Sequence, residues 1–237
     1  KKYYPRFAKA ADKIVAVSNT TKQDIISSYQ IPSEKIRVVY NGVNAHYKPI
    51  SLQEKEIIQQ QIGVDKPYFL FVGSLHPRKN INRLIAAFQE FTKSDSSTDL
   101  VIVGAAMWKN TVIKIDPEIA NRIHFLGHLE TSALAQIMGA ATAFVYVPYF
   151  EGFGIPMVEA MNCGTVVLAS RATCLPEIAG DAAYLVDPFD INDIAKGINQ
   201  LIEDESLRAE LSKKGLQRSA YFSWDKAAEQ VAKALGL

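Results

Sequence analysis

Two rhythms of apolar and polar positions run along the 237 residues. From Tyr68 onward, short unbroken apolar runs recur at 68–72, 100–103, 123–126, 143–147, 165–169 and 183–186. Runs without alternation predict strands buried on both faces. Segments with helical spacing lie between them, at 81–93, 132–140 and 155–163. Strand and helix in alternation predict an α/β fold built on a doubly wound parallel sheet. Beyond Asp190 the pattern turns helical, with helices at 191–202 and 207–220 and an apolar stripe of Trp224, Ala227, Ala228, Val231 and Leu235 on a last one.

The first forty residues form a smaller unit of the same kind. A run at 14–17 ends at Ser18-Asn19-Thr20, residues suited to capping a helix over 21–28. After Ile31-Pro32 a second run at 36–40 ends in the turn dipeptide Asn41-Gly42, which predicts a boundary near 41–44. Ser51 through Glu54 forms a capping box, and Gly63 stands past the end of the helix that follows. The uncharged stretch from Thr131 to Phe150 has the length of a membrane span. It holds Gln136, Gly139, Thr142 and Pro148 and changes period midway, so it predicts a helix followed by a strand.

Composition changes this picture little. With 48% apolar and 22% charged residues the chain is globular, and a net charge of +1 gives no surface field for nucleic acid or anionic lipid. Any anion must therefore be bound locally. Cys163 and Cys174 are expected to be reduced. Neither a transmembrane segment nor a leader is expected, since Lys1 through Arg6 is followed by no apolar core; the absence of an initiator Met suggests a piece of a longer protein.

Open α/β sheets bind ligands beyond the carboxyl ends of their strands, and two loops there carry chemistry. The first is Gly73-Ser74-Leu75-His76-Pro77-Arg78-Lys79-Asn80. Gly73 admits backbone close to a ligand, Arg78 can fork onto phosphate oxygens, Lys79 adds a point charge and a helix amino end follows. This suits a phosphate, or alternatively a solvated basic loop with an Asn cap. The second loop runs from Glu151 through Gly152-Phe153-Gly154-Ile155-Pro156 to Glu159. No other charge stands between Glu151 and Arg171, so Glu159 lies on an otherwise apolar helix. An unpartnered buried carboxylate costs several kcal/mol, which directs Glu159 to a cleft with ligand hydroxyls or amides, or to a structural role capping a neighbouring loop.

Glu151 and Glu159, separated by seven residues within Glu-Gly-Phe-Gly-Ile-Pro-Met-Val-Glu-Ala-Met, resemble the E-x7-E signature of retaining GT-B glycosyltransferases of family 4. Three further segments recur in that family's order: 72–80 resembles its diphosphate loop, Phe125-Leu126-Gly127-His128-Leu129 its nucleobase loop, and Pro176-Glu177-Ile178-Ala179-Gly180 the segment after the next strand. The resemblance implies a Rossmann-like C-terminal domain of a GT-B fold over 45–237, with 1–44 a remnant of the N-terminal domain and hinge. It further implies that the last helix, about 223–236, crosses towards the missing N-terminal domain.

By the same resemblance Arg78 and Lys79 hold the diphosphate of a GDP- or UDP-linked sugar, Glu159 accepts from ribose hydroxyls, and Glu151 touches the transferred sugar. Gly73, Ser74 and Leu129 line the donor, as does backbone at Gly152, Phe153, Gly154 and Ile155. Ser74 stands where many members carry Arg, which leaves more of the phosphate charge to Arg78 and Lys79. None of His46, His76, His124 or His128 sits in the context of the family's acceptor-side histidine. No metal and no further cofactor is implied, since no Asp-x-Asp triplet occurs. The expected partners are the donor, a saccharide or lipid-linked acceptor and the missing domain, with no nucleic acid. The expected place is the cytoplasm or the cytoplasmic face of the membrane. An inert nucleotide-sugar binding module and a sugar-nucleotide epimerase are the alternatives, and the Pro-Arg-Lys-Asn form of the loop hints at GDP-mannose.

Overall fold

The computed structural model describes residues 3–95, 97–105 and 113–236; Lys1 and Lys2 of the leader argument lie outside them. The chain begins with α1 (Tyr4–Ala10), β1 (Ile14–Ala16), α2 (Asn19–Tyr29) and β2 (Ile36–Val38). It continues through α3 (Leu52–Gln61), β3 (Tyr68–Val72), α4 (Ile81–Thr92), β4 (Asp99–Val103), β5 (Ile123–Gly127), α5 (Thr131–Ala140) and β6 (Ala143–Tyr146). The remainder is α6 (Ile155–Asn162), β7 (Val166–Ser170), α7 (Leu175–Ala179), β8 (Tyr184–Val186), α8 (Ile191–Glu203), α9 (Glu205–Ser219) and α10 (Trp224–Leu235).

Strands β3 to β8 form one six-stranded sheet, every pairing parallel, in the order β5-β4-β3-β6-β7-β8. Alternate residues of each strand serve opposite cores. Tyr68, Leu70, Val72, Phe144 and Tyr146 pack with α5, α6 and α7 on one face, while Phe69, Phe71, Ala143 and Val145 pack with α4 and α8 on the other. Unbroken apolar strands follow from that two-sided burial. The uncharged stretch 131–150 resolves into α5 and β6 as expected, and no helix among the described residues is long and apolar enough to cross a membrane. Cys163 and Cys174 are free and buried.

After β3 the chain moves outward to β4 and β5, then returns to the other side of β3 as β6. Strand order reverses there, and the loops leaving Val72 and Tyr146 splay apart over the crevice that doubly wound sheets offer to ligands. The main sheet thus puts the two chemically loaded loops side by side.

Among the described residues, strands β1 and β2 pair only with each other, in parallel. They stand beside the main sheet with α2, which is N-capped by Ser18 as its sequence predicts. The Ser51–Glu54 capping box is formed as expected. Gly42 fits because a side chain there would collide with the Trp224 backbone, 2.3 Å from the Cβ position, so 40–43 passes directly under the start of α10. Helices α1 and α7 have no counterpart among the expected segments; both are short, and Pro5 and Pro176 stand in their first turns.

Candidate functional site at the carboxyl ends of β3 and β6

The loop after β3 turns through Gly73 and Ser74 into a single 3-10 turn, Pro77–Lys79, whose start is capped by the His76 imidazole accepting from the Arg78 N–H. This turn throws Arg78 and Lys79 in different directions. Lys79 is buried, 7% exposed, with its Nζ 2.7 Å from Glu151 Oε1 and 2.5 Å from the Tyr146 hydroxyl. Arg78 stays half-exposed and places Nη1 2.5 Å from the same carboxylate oxygen and 3.2 Å from the Phe150 carbonyl. One oxygen of Glu151 therefore bridges both cations. Burial pulls the Lys79 ammonium below its usual value, and Glu151 opposes that pull. Burial also pushes the Tyr146 hydroxyl well up.

Asn80 does not cap α4 with its side chain, contrary to the simplest reading of the loop. It takes the left-handed conformation at φ 64°, and its buried amide donates to the Val147 and Pro188 carbonyls at 2.9 and 2.7 Å. Its Oδ1 accepts from Arg83 at 3.3 Å. Loops leaving β3, β6 and β8 are thereby tied through one side chain. Arg83 also holds the Tyr149 hydroxyl and lies against the stacked rings of Tyr149 and Phe189.

The Glu151–Gly154 loop is held from below by the segment before α7. Thr173 Oγ1 accepts the Glu151 N–H at 3.2 Å, and the Cys174 thiol donates to the Glu151 carbonyl at 3.2 Å. Gly154 takes φ 88°, and a Cβ there would come within 2.6 Å of Leu175. Phe153 is buried in the core, whereas Ile155 remains partly exposed at the start of α6. Pro156 sits in the first turn of α6, where its fixed φ is tolerated.

Gly73 and Ser74 meet Leu129 across a mostly apolar cavity of about 450 Å³ that is also lined by Val72, Val103, Gly104, Ala105, His128 and Leu134. A Cβ on Gly104 would fall 1.9 Å from the Gly73 carbonyl, so the β3 and β4 loops touch backbone to backbone here. A larger hollow of about 570 Å³, lined by Lys55, Thr142, Thr165 and Arg208 among others, opens at the amino ends of the strands and contains none of the site residues. Position relative to the sheet, not size, makes the smaller cavity the candidate site.

Glu159 departs from the simplest expectation. Its carboxyl has a protein partner, the hydroxyl of the buried Tyr47, which arrives from the segment before α3. Burial lifts the Glu159 carboxyl from 4.5 to about 7, and the Tyr47 bond offsets only part of the rise. The same burial and the neighbouring Glu159 push the tyrosine above its usual range. Residues that the sequence did not flag are Tyr47, Tyr146 and Thr173. Asn80 and His128 stood within segments the sequence singled out, but the tying role of Asn80 and the place of His128 in the cavity wall were not read from them.

Comparison with known proteins decides the family. Residues 53–218 match the model of the glycosyl transferases group 1 family, and residues 1–47 match that of glycosyltransferase family 4. The chain belongs to the glycosyl transferases group 1 family. Among its curated relatives is O-antigen chain mannosyltransferase B of Escherichia coli, 32% identical over 96% of this chain and 61% of the relative. O-antigen chain mannosyltransferase RfbU of Salmonella typhimurium is 33% identical over 80% of this chain and 52% of its own length. The chain thus spans about three fifths or less of these group 1 relatives. Its fold is that of solved GT-B enzymes such as Anabaena HepE in complex with UDP, with a TM-score of 0.85 and 26% identity over 95% of this chain and 64% of that one.

Proposed function

We propose that this chain is the donor-binding part of a glycosyltransferase that moves a sugar from a nucleotide-sugar donor to a saccharide or lipid-linked acceptor with retention of configuration. The observation that carries the reading is the convergence of Arg78, Lys79 and Glu151 at the point where strand order reverses. Relatives named as O-antigen mannosyltransferases and a neighbour solved with UDP support it and favour a hexosyl, specifically mannosyl, group on GDP or UDP.

Transfer breaks the bond between the anomeric carbon and the diphosphate, and the electron pair stays on the diphosphate oxygen. Negative charge grows there, where preorganised cations lower the barrier. Arg78, half-exposed, can exchange its bond to Glu151 for one to this oxygen; Lys79 is buried and tied to Tyr146, and Glu151 opposes the lowering that burial imposes on its ammonium. An incoming diphosphate competes with Glu151 for the two cations and so turns the carboxylate towards the transferred sugar. The acceptor oxygen bonds to the anomeric carbon on the face the diphosphate leaves, and its proton passes to the leaving phosphate. The apolar cavity beside Gly73, Ser74, His128 and Leu129 takes the base, and Glu159 takes ribose hydroxyls.

Titration calorimetry tests this directly. Lys79→Ala is expected to weaken UDP or GDP binding tenfold or more while changing nucleoside affinity little, since a charged hydrogen bond is worth about 1.5–3 kcal/mol. Equal weakening of both ligands removes Lys79 from the phosphate site. A thermal-shift panel of UDP-, GDP- and ADP-sugars assigns the base.

A further inference from the structure

We propose that Glu177 is a positioning residue that couples residues 14–40 to the loop carrying Glu151, acting through Ser18 and the Gly152 carbonyl. The inference rests on the donor-site reading above and adds to it the element that sets the loop.

The first turn of any α-helix presents N–H groups that have no partner within the helix. In α2 they are satisfied from two sources. Ser18 Oγ accepts the Thr21 N–H at 3.0 Å, an ordinary local cap. Glu177, more than a hundred positions further on in α7, supplies the rest: its two oxygens accept the Asn19 and Thr20 N–H groups at 2.8 and 3.1 Å. The same carboxylate accepts from the Asn19 side-chain amide, the Thr20 hydroxyl and the Tyr40 hydroxyl at 3.0, 3.2 and 2.9 Å. Five donors on one carboxylate exceed what solvated surface pairs provide, and they come from both α2 and the segment after β2.

Held this way, the start of α2 reaches the donor loop. The fully buried Ser18 donates its hydroxyl to the Gly152 carbonyl at 2.7 Å, and Thr21 adds a second hydroxyl at 3.2 Å. Gly152 follows directly on Glu151. On the opposite side, Thr173 and Cys174 grip the Glu151 peptide, and they immediately precede the helix that bears Glu177. The stretch 173–177 therefore holds the donor loop with one end and α2 with the other. A shift of α2 cannot leave Glu151 in place unless these bonds break.

The experiment compares Ser18→Ala and Glu177→Ala with the unaltered chain and with Asp181→Ala, a control whose exposed carboxylate pairs with Lys214. Calorimetry with UDP-glucose and GDP-mannose is set against UDP and GDP, and hydrogen exchange is followed over 151–155. Both coupling variants are expected to lose about fivefold or more in nucleotide-sugar affinity, with less than about twofold loss for the diphosphate alone, because loop 151–155 faces the sugar. Exchange over 151–155 is expected to quicken while β3 and β6 stay protected. Ser18→Ala removes one hydroxyl and keeps the test valid if Glu177→Ala unfolds. Equal losses for both ligand classes, or unchanged exchange over 151–155, overturns the proposal. If the unaltered chain binds no nucleotide, the donor reading fails, and the exchange comparison alone decides the coupling.

Discussion

Glu159 shows how one side chain links stability to ligand binding. Its carboxyl titrates at about 7 in the fold against 4.5 when free, so the folded state favours the protonated form. Stability from this group is fully present below about 4.5 and is lost as pH rises through about 7. Glu159→Gln is therefore expected to raise the urea midpoint at pH 8 and to change it little at pH 4.5. In the proposed donor site ribose hydroxyls donate to the ionised form, so nucleotide binding at pH 7 should release a fraction of a proton, and a 2′-deoxynucleotide should release less. Calorimetry in two buffers of different ionisation heat reads this; proton uptake would place the ribose elsewhere. The sequence pointed to Glu159 because a lone charge on an apolar helix needs an explanation. It could not show Tyr47, which sits in an irregular segment far from α6 in sequence, where periodicity carries no information. Arg78, Lys79 and Glu151 were legible singly. Their meeting on one oxygen follows only once β3 and β6 are known to be neighbours.

Among the elements, the carboxyl-end loops are held together by Asn80, and substitution separates its two roles. Asn80→Gly keeps the left-handed backbone and loses the bonds to Val147 and Pro188, with an expected loss of about 1–3 kcal/mol as two carbonyls lose their Asn80 donor, Pro188 keeping only the longer bond from Arg83. Asn80→Ala adds about 1–2 kcal/mol of backbone strain. Urea unfolding of both variants checks the order; alanine no worse than glycine would mean that the positive φ is relaxed at no cost. The strands of the main sheet were the most legible elements, because burial on both faces leaves an unbroken apolar run that polar loops delimit. Helices with a cap or an amphipathic stripe, such as α2, α3 and α8, were nearly as plain. The helix α7 escaped because five residues hold too few positions for a period, and Asn80 escaped because an Asn before a helix ordinarily signals a cap.

At the scale of the whole molecule the two halves differ in completeness. The main sheet is covered on both faces, whereas among the described residues β1 and β2 pair only with each other, and Tyr4, Phe7 and Val15 are exposed beside them. On α10, Trp224 and Leu235 are more than half exposed, and a hollow of about 360 Å³ separates 37–39 from Gln230, Lys233 and Ala234. We propose that the rest of an N-terminal domain covers these surfaces and forms the acceptor wall. Glycosyl transfer needs both walls to align the reactants and exclude water. The chain alone is accordingly expected to bind donor and to transfer no sugar, or only to hydrolyse donor slowly, while the longer protein transfers to a saccharide or lipid-linked acceptor. Turnover by the fragment at the rate of the whole would overturn the two-wall argument. The order of strands has a separate consequence, for how the protein is made. Phe69 in β3 finds its partner Ala143 in β6 only after β4, β5 and α5 have been synthesised. During that interval the inner edge of β3 is an open template for another nascent chain. Closing so distant a contact makes sheet assembly slow, so the yield of correctly folded protein should depend on chaperone supply and on the pace of translation across residues 73–143.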